Sequence, residues 1–372
     1  MQESWTRGRI ADEIRALGLQ PILIGEMGVA VVVENGAGKT LLARADFDGL
    51  PVTEDTGLEY SSETAGVMHA CGHDMHVTAL LGAVCLLNSH GDAWTGTYIA
   101  LFQPGEETAA GARALIDAGL KRLIPTPDAA YAQHIGPGPA NVVAFREGPT
   151  LSAGDSIKVT VFGAGSHAST PHLAVDPVVL AAHIVVQLQS IVSRQVSPQD
   201  FSVVPVGAIH AGSKSNVIPD RAELLLNLRH YDEGVRERVI QAVEKTVLNE
   251  CEIAGSPVPP TFEYYDQFPL TSNDATLAQS LRPSFEAAFG ENFHLAPIGQ
   301  ASEDFSVIPD AFGVGYLYAF IGSVDPAEFE AGTKAGTAFP GNHSPQFAPD
   351  IEPTCLTATN AQIVAATGLL GK

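Results

Sequence analysis

The alternation of apolar and polar positions divides the chain into stretches of different grammar. In the first, "AVVVEN" (30–35) and "TLLARADF" (40–47) predict strands, and "HVTALLGAVCLLNS" (76–89), apolar nearly all round, predicts a buried helix. "TGTYIALFQP" (95–104) predicts a strand that stops at Pro-Gly, "GARALIDAGL" (111–120) a helix, and "DAAYAQHI" (128–135) a further strand. Strands and helices in repeated alternation imply an α/β fold whose sheet is mainly parallel, with helices on its faces.

The pattern then changes. "DSIKVTVFG" predicts a strand, "DPVVLAAHIVVQLQSIVS" a helix, "FSVVPVGAIHAG" and "RAELLLNLRHY" two strands, "GVRERVIQAVEKTVLNECEI" a helix and "TFEYYDQF" a strand. That β-α-β-β-α-β order is the ferredoxin-like unit, a small α+β domain in its own right. Afterwards "DATLAQSLRPSFEAAFG" predicts a helix and "FGVGYLYAFIG" a strand, so the first pattern resumes. The expected organisation is a discontinuous domain, 1–153 with 269–372, interrupted by an inserted satellite domain over 154–268.

Composition narrows the class. Of 372 residues 45% are hydrophobic and 17% charged, the balance of a folded globular protein. The sequence contains no purely apolar run of about 18 residues, the length that a membrane-spanning helix needs. "MQESWTRGRI" lacks the basic-then-apolar pattern of a secretory signal, so a cytoplasmic location is expected. The formal charge of −22 disfavours nucleic acid and anionic membranes as partners. The four cysteines, Cys71, Cys85, Cys251 and Cys355, are widely spaced and predict no disulfide framework; Cys85, inside the apolar helix, is expected to be a small buried hydrophobe.

Cys71 differs because of its surroundings, "HACGHDMH". Asp46 ends one predicted strand, Glu106 and Glu107 follow another across Pro-Gly, His134 closes a third, and His343 lies in the loop "FPGNHSPQF". Functional groups of open α/β sheets gather beyond the carboxyl ends of strands, so these residues can converge. A Glu-Glu pair there is repulsive unless a cation lies between the carboxylates. Thiolate, imidazole and carboxylate together suit zinc, and manganese, cobalt and nickel also accept such donors. One zinc needs about four ligands, and the surplus of candidates points to a pair of metal ions. Taken singly, each of these histidines is as readily a hydrogen-bonding residue, and the Glu-Glu pair a solvated turn.

The ordered motifs "RADFDGLPVTED", "VMHACGHDMHVTALLGA", "QPGEET", "HIGPGP", "GAGSHASTPHLAVDPV", "SNVIPD", "SEDFS" and "NHSPQF" span nearly the whole chain. Together they resemble the metal-dependent amidohydrolases that include hippurate hydrolase, N-acyl-amino-acid amidohydrolase and plant indoleacetyl-amino-acid hydrolase, within the larger group of aminoacylases and dinuclear-zinc carboxypeptidases. The resemblance implies a zinc-peptidase-like catalytic domain with an inserted dimerisation or lid domain, and hydrolysis of the amide bond of a small N-acyl amino acid. It implies two divalent metal ions per subunit, held by Cys71, His73, Glu107, His134 and His343, with Glu106 as general acid/base and Asp46 orienting a ligand. His167 would reach a neighbouring protomer's site in a homodimer and hold the carbonyl oxygen. Asn216 and Arg229 would bind the substrate carboxylate, although Arg229 also suits a surface ion pair. Asp74, His76, Glu303 and Asp304 would take supporting roles such as helix capping and hydrogen bonding to ligands. The family's usual "His-x-His-Pro-Glu" stretch falls before the point where this chain starts, which leaves its ligands intact and suggests a missing first helix. The same centre in a carboxypeptidase or dipeptidase, or a binding protein on the same fold, are the alternatives.

Overall fold

The computed structural model describes residues 2–371. The chain forms two compact units, one made of 1–150, 271–298 and 304–372, the other of 151–270 with 299–303. The second unit therefore extends beyond the expected 154–268. Residues 299–303 join it because Ser152 N donates to Ala301 O at 2.9 Å and Ser302 Oγ donates to Ser152 O at 2.7 Å.

The first unit is built on an eight-stranded mixed sheet. Its centre is parallel: Thr40–Asp46 lies between Gly96–Gln103 and Ala129–Pro139, and Ala129–Pro139 pairs with Tyr316–Val324. Gly28–Asn35 extends it antiparallel beside Gly96–Gln103. The central strands are buried along nearly their whole length, which explains their continuous apolar character. The helix His73–Ser89 packs against the sheet and against the helix Ile351–Leu370, burying Val77, Ala79, Leu80, Ala83, Val84 and Leu87. Its other side faces solvent, and Cys85 lies there, exposed rather than buried as expected. An earlier helix, Ser4–Ala16, contributes Ile10 and Ile14 to the same core.

The second unit has the β-α-β-β-α-β order. Its strands lie in the spatial order Val206–Ala211, Arg221–His230, Ala153–Phe162, Thr261–Phe268, all antiparallel. Strict alternation along Arg221–His230 turns Ala222, Leu224, Leu226, Leu228 and His230 inward. The helices Pro177–Arg194 and Glu233–Ala254 supply Ile184, Leu188, Ile191, Val239, Val243 and Val247 to that core. Pro177–Arg194 is long and apolar enough by composition to cross a membrane, yet its Leu180, Ala181, Ile184, Leu188 and Ile191 are buried inside this unit. The single strand expected over 201–212 is two, Ser202–Val203 and Val206–Ala211. Pro205 separates them, having no N–H for the ladder. The strand expected over 312–322 begins only at Tyr316, since Phe312 ends a short helix capped by Gly313.

One ion pair fixes the helix Glu233–Ala254 to this sheet. Arg236 grips the buried Asp155 carboxylate through Nε and Nη2, both at 2.7 Å, and Gln267 Nε2 donates to it at 3.0 Å. Burial pushes the Asp155 carboxyl up, but Arg236 and Gln267 outweigh it and hold the group below its ordinary value. A depressed native pKa stabilises the fold above the ordinary carboxylate pKa, and the contribution disappears as pH falls through the native value. Asp155→Asn is expected to cost about 3 kcal/mol at neutral pH, with the gap from wild type narrowing below about pH 4. Urea unfolding followed by circular dichroism at pH 7 and pH 3 checks both.

Candidate metal centre

Parallel neighbours bring the ends of several strands to one edge of the first unit. The strand Thr40–Asp46 delivers Asp46 there and, just beyond it, Asp48. Gly96–Gln103 leads through Pro104 into Gly105, whose φ of +62° turns the chain sharply enough for Glu106–Thr108 to form a single 3₁₀ turn. Ala129–Pro139 carries His134, which lies within the strand because pairing with Tyr316–Val324 continues past it. Gly72, at φ +78°, reverses the backbone between Cys71 and the helix that starts at His73. His343 approaches from the C-terminal region with its backbone in the left-handed region, φ +70°. That conformation is uncommon for a side chain with a Cβ. It is held by His343 N donating to Ala70 O at 2.7 Å and by the neighbouring Asn342, whose Nδ2 donates to Ile135 O at 2.9 Å.

The result is a tight group of donors. Ligand atoms of Cys71, His73 and Glu107 lie within 4.8 Å of one another, as do those of Asp46, His73, His76 and His134, so His73 belongs to both sets. Cys71 Sγ is 3.5 Å from His134 Nε2, and His343 Nε2 is 3.0 Å from Glu107 Oε1. The five residues expected as ligands are thus brought together. Glu106, the expected acid/base, is buried beside Glu107.

The partners of each imidazole show which nitrogens are available. His73 Nδ1 faces the Asp48 carbonyl oxygen at 3.0 Å, and His134 Nδ1 faces the Ile135 carbonyl oxygen at 2.9 Å. A carbonyl only accepts, so both rings carry hydrogen on Nδ1 and the neutral form of each presents an Nε2 lone pair. His76 differs: the Ile135 amide donates to its Nε2 at 2.9 Å, and its Nδ1 donates to Asp46 Oδ1. Both its nitrogens are engaged, so His76 has no free lone pair for a metal, and it caps nothing; the helix begins at His73, after Gly72 at the N-cap position. Asp74 stays local, accepting from the Met75 amide at 3.0 Å.

Buried polar atoms without partners are costly. His73 Nε2 is such an atom, and Asp46 Oδ2 lies 3.6 Å from it. Acceptors facing one another in this way fit a cation between them. The titration behaviour agrees. Burial pushes the Cys71 thiol up, but His134 beside it, with contacts to His343 and His73, brings it to about 5. Burial pushes His134 down, but Cys71 raises it to about 9, and contacts with Cys71 and Glu107 raise His343 to about 10. Protons on these imidazoles and divalent metal ions compete for the same lone pairs.

Asp48 is a site residue that the motif pattern does not single out. Its Oδ2 accepts from the Glu107 amide at 3.0 Å while its backbone oxygen receives His73, so it ties two expected ligands together. The Asp-x-Asp spacing of "RADFD" is its only signal.

The remaining expected residues belong to the second unit. His167 and Asn216 line an open groove of about 580 Å³ with Gly165, Ser213 and Pro219. The short ribbon pairing His167 with Val217 brings them together, and Ala168 N donates to Asn216 O at 3.1 Å. Arg229 does not line that groove. It donates to Asn227 Oδ1 at 2.8 Å and to Ser302 Oγ, a side-chain network rather than a surface ion pair. Glu303 is buried in the same unit.

Comparison with known proteins accords with this architecture. Residues 42–335 match the model of peptidase family M20/M25/M40. The chain is 33% identical over 356 residues to thermostable carboxypeptidase 2 of Saccharolobus solfataricus, covering 94% of this chain and 86% of that one. It is 34% identical over 322 residues to hippurate hydrolase of Campylobacter jejuni, covering 85% and 82%. A solved Bacillus subtilis structure, described as a dinuclear metal binding peptidase from the M20 family, superposes with a TM-score of 0.79 at 26% identity, covering 99% and 93%. Donor cluster, fold and family match agree: the chain belongs to peptidase family M20/M25/M40 and is a metal-dependent hydrolase of amide bonds.

Proposed function

We propose that the protein hydrolyses the amide bond of small N-acyl amino acids, releasing a carboxylic acid and a free amino acid. The observation that carries the reading is the donor set, in which the buried Cys71 and His73 and the half-buried Glu107 converge around a partnerless imidazole nitrogen beside the buried Glu106. His134 and His343 complete a set sufficient for two ions, and the mixture of thiolate, imidazole and carboxylate favours zinc, cobalt or manganese over magnesium or calcium. Bound there, the ions would supply Lewis acidity toward the scissile carbonyl and lower the pKa of water.

Glu106 takes the proton of the attacking water and returns it to the leaving amine. The Asp48 and Ile135 carbonyls keep His73 and His134 presenting Nε2, so neither ring rotates away during turnover. Asn216 and Arg229 offer hydrogen-bond donors to the substrate carboxylate, and His167 one to its carbonyl oxygen. His167 acts on the site of a partner protomer in a homodimer formed through the inserted unit.

A carboxypeptidase or dipeptidase reading draws on the equal similarity to thermostable carboxypeptidase 2. A panel of hippurate, N-acetyl amino acids and dipeptides separates the two: turnover confined to the acylated amino acids is expected, and turnover of dipeptides alone would reverse the conclusion. Glu106→Gln is expected to lower kcat by about 10²–10⁴-fold with metal content unchanged; an unaltered kcat removes the acid/base role. Cys71→Ser is expected to lower the metal content of the purified protein, measured by plasma mass spectrometry, and wild-type occupancy in that variant would exclude the thiolate as a ligand.

A further inference from the structure

Behind the donors lies a chain of buried polar groups that the reaction above does not use. Arg44, 1% exposed, sits on the strand Thr40–Asp46. Its Nη1 donates to Asp46 Oδ2 at 2.8 Å, its Nε donates to Gln103 Oε1 at 2.9 Å, and its Nη2 lies 3.4 Å from Asp304 Oδ1. Gln103 closes the triangle, donating from Nε2 to Asp304 Oδ1 at 2.6 Å. A guanidinium only donates, so the Gln103 amide has one satisfying orientation. Asp304 is anchored in turn by the Ala112 amide, which donates to its Oδ2 at 3.0 Å. The fork of Arg44 cannot turn without breaking this frame.

On its other side Asp46 connects to the donors. Its Oδ1 accepts from His76 Nδ1, and His76 Nε2 receives the amide of Ile135, the residue after His134. Its Oδ2, the oxygen that Arg44 holds, is also the one 3.6 Å from His73 Nε2. A buried arginine carries a large desolvation cost, and a neutral side chain filling the same volume would often be at least as stabilising. What the arginine adds is direction: two carboxylates and an amide locked at fixed angles.

We propose that Arg44 is a positioning residue for the metal donors, holding Asp46 in one orientation and, through Asp46 and His76, fixing where His73 and His134 present their lone pairs. The proposal rests on the metal-binding reading above.

The test is Co²⁺ titration of the metal-free protein, read by absorption. A thiolate-to-cobalt band reports Cys71, and the ligand-field bands report the geometry of the other donors. Arg44→Met is expected to weaken cobalt binding about 10–100-fold and to shift the ligand-field bands. Arg44→Lys, which keeps the charge but loses the fork, is expected to recover only part of the loss. Leu281→Ala, a truncation in the core of the same unit, controls for lost stability and is expected to keep wild-type affinity and bands. Wild-type affinity and bands in the Arg44 variants, or the same change in Leu281→Ala, overturn the proposal. Should Arg44→Met fail to fold, Arg44→Lys decides alone: unchanged binding and bands overturn the proposal, and weakened binding with shifted bands supports it. A wild-type protein with no thiolate band fails the metal reading itself and takes this proposal with it, whereas a wild-type band unchanged in the Arg44 variants defeats this proposal alone.

Discussion

Acceptors crowd together in the first unit where water cannot separate them. His73 Nε2 has no hydrogen-bond partner, Asp46 Oδ2 faces it at 3.6 Å, and Cys71 and Glu107 bring their own donor atoms within 4.8 Å. Such an arrangement is stable only if positive charge enters it. Protons on His134 and His343 supply that charge in one state, which is why both imidazoles titrate well above their ordinary range. Divalent ions supply it in the other, and the exchange of one for the other links metal affinity to pH. The local backbone departs from ordinary geometry to sustain the cluster, at Gly72, at Gly105 and in the left-handed His343. Strain of this kind persists where the surroundings over-determine it.

How far the sequence discloses this depends on what kind of group does the work. Side chains at the ends of apolar runs are legible: the strand ending at Asp46 and the Pro-Gly turn before Glu106 suffice to place their residues at one sheet edge. Backbone groups are not. Asp48 matters as much through its carbonyl oxygen as through its carboxylate, and the Ile135 carbonyl and amide orient two histidines, yet any residue type could supply those carbonyl oxygens. Periodicity also fails where contrast is low. The helix His73–Ser89 is so uniformly apolar that its solvent-facing side, with Cys85, cannot be told from its buried one. The long helix Ile351–Leu370, rich in threonine and alanine with no charged stripe, announces itself no better. The short segment 299–303 joins the second unit through backbone and serine hydrogen bonds that leave no pattern in the chain.

The second unit follows a different logic. Its sheet alternates cleanly between buried and open positions, and its core is closed by aliphatic side chains from strands and helices. The strongly charged contact inside it, Asp155 with Arg236, is a matched pair whose geometry satisfies the carboxylate. That pair needs no added ion for charge balance. The candidate substrate residues of this unit are correspondingly ordinary: His167 and Asn216 sit at a two-residue ribbon beside an open groove, where hydrogen-bonding capacity remains available to a ligand.

The contrast explains where the fold tolerates unpaired polarity. A protein interior penalises an unsatisfied donor or acceptor by a few kcal/mol, so such groups persist most readily where something outside the polypeptide completes them. In the first unit the unsatisfied His73 Nε2 faces Asp46 Oδ2 at one sheet edge, while on the other side of Asp46 the side chains of Arg44, Gln103 and Asp304 satisfy one another. The polar interior thus has a saturated layer and an unsaturated one, joined through Asp46. A saturated layer resists rearrangement because moving any member strands another. That rigidity is what allows the unsaturated layer to keep its lone pairs aimed at a common point instead of collapsing into hydrogen bonds among themselves.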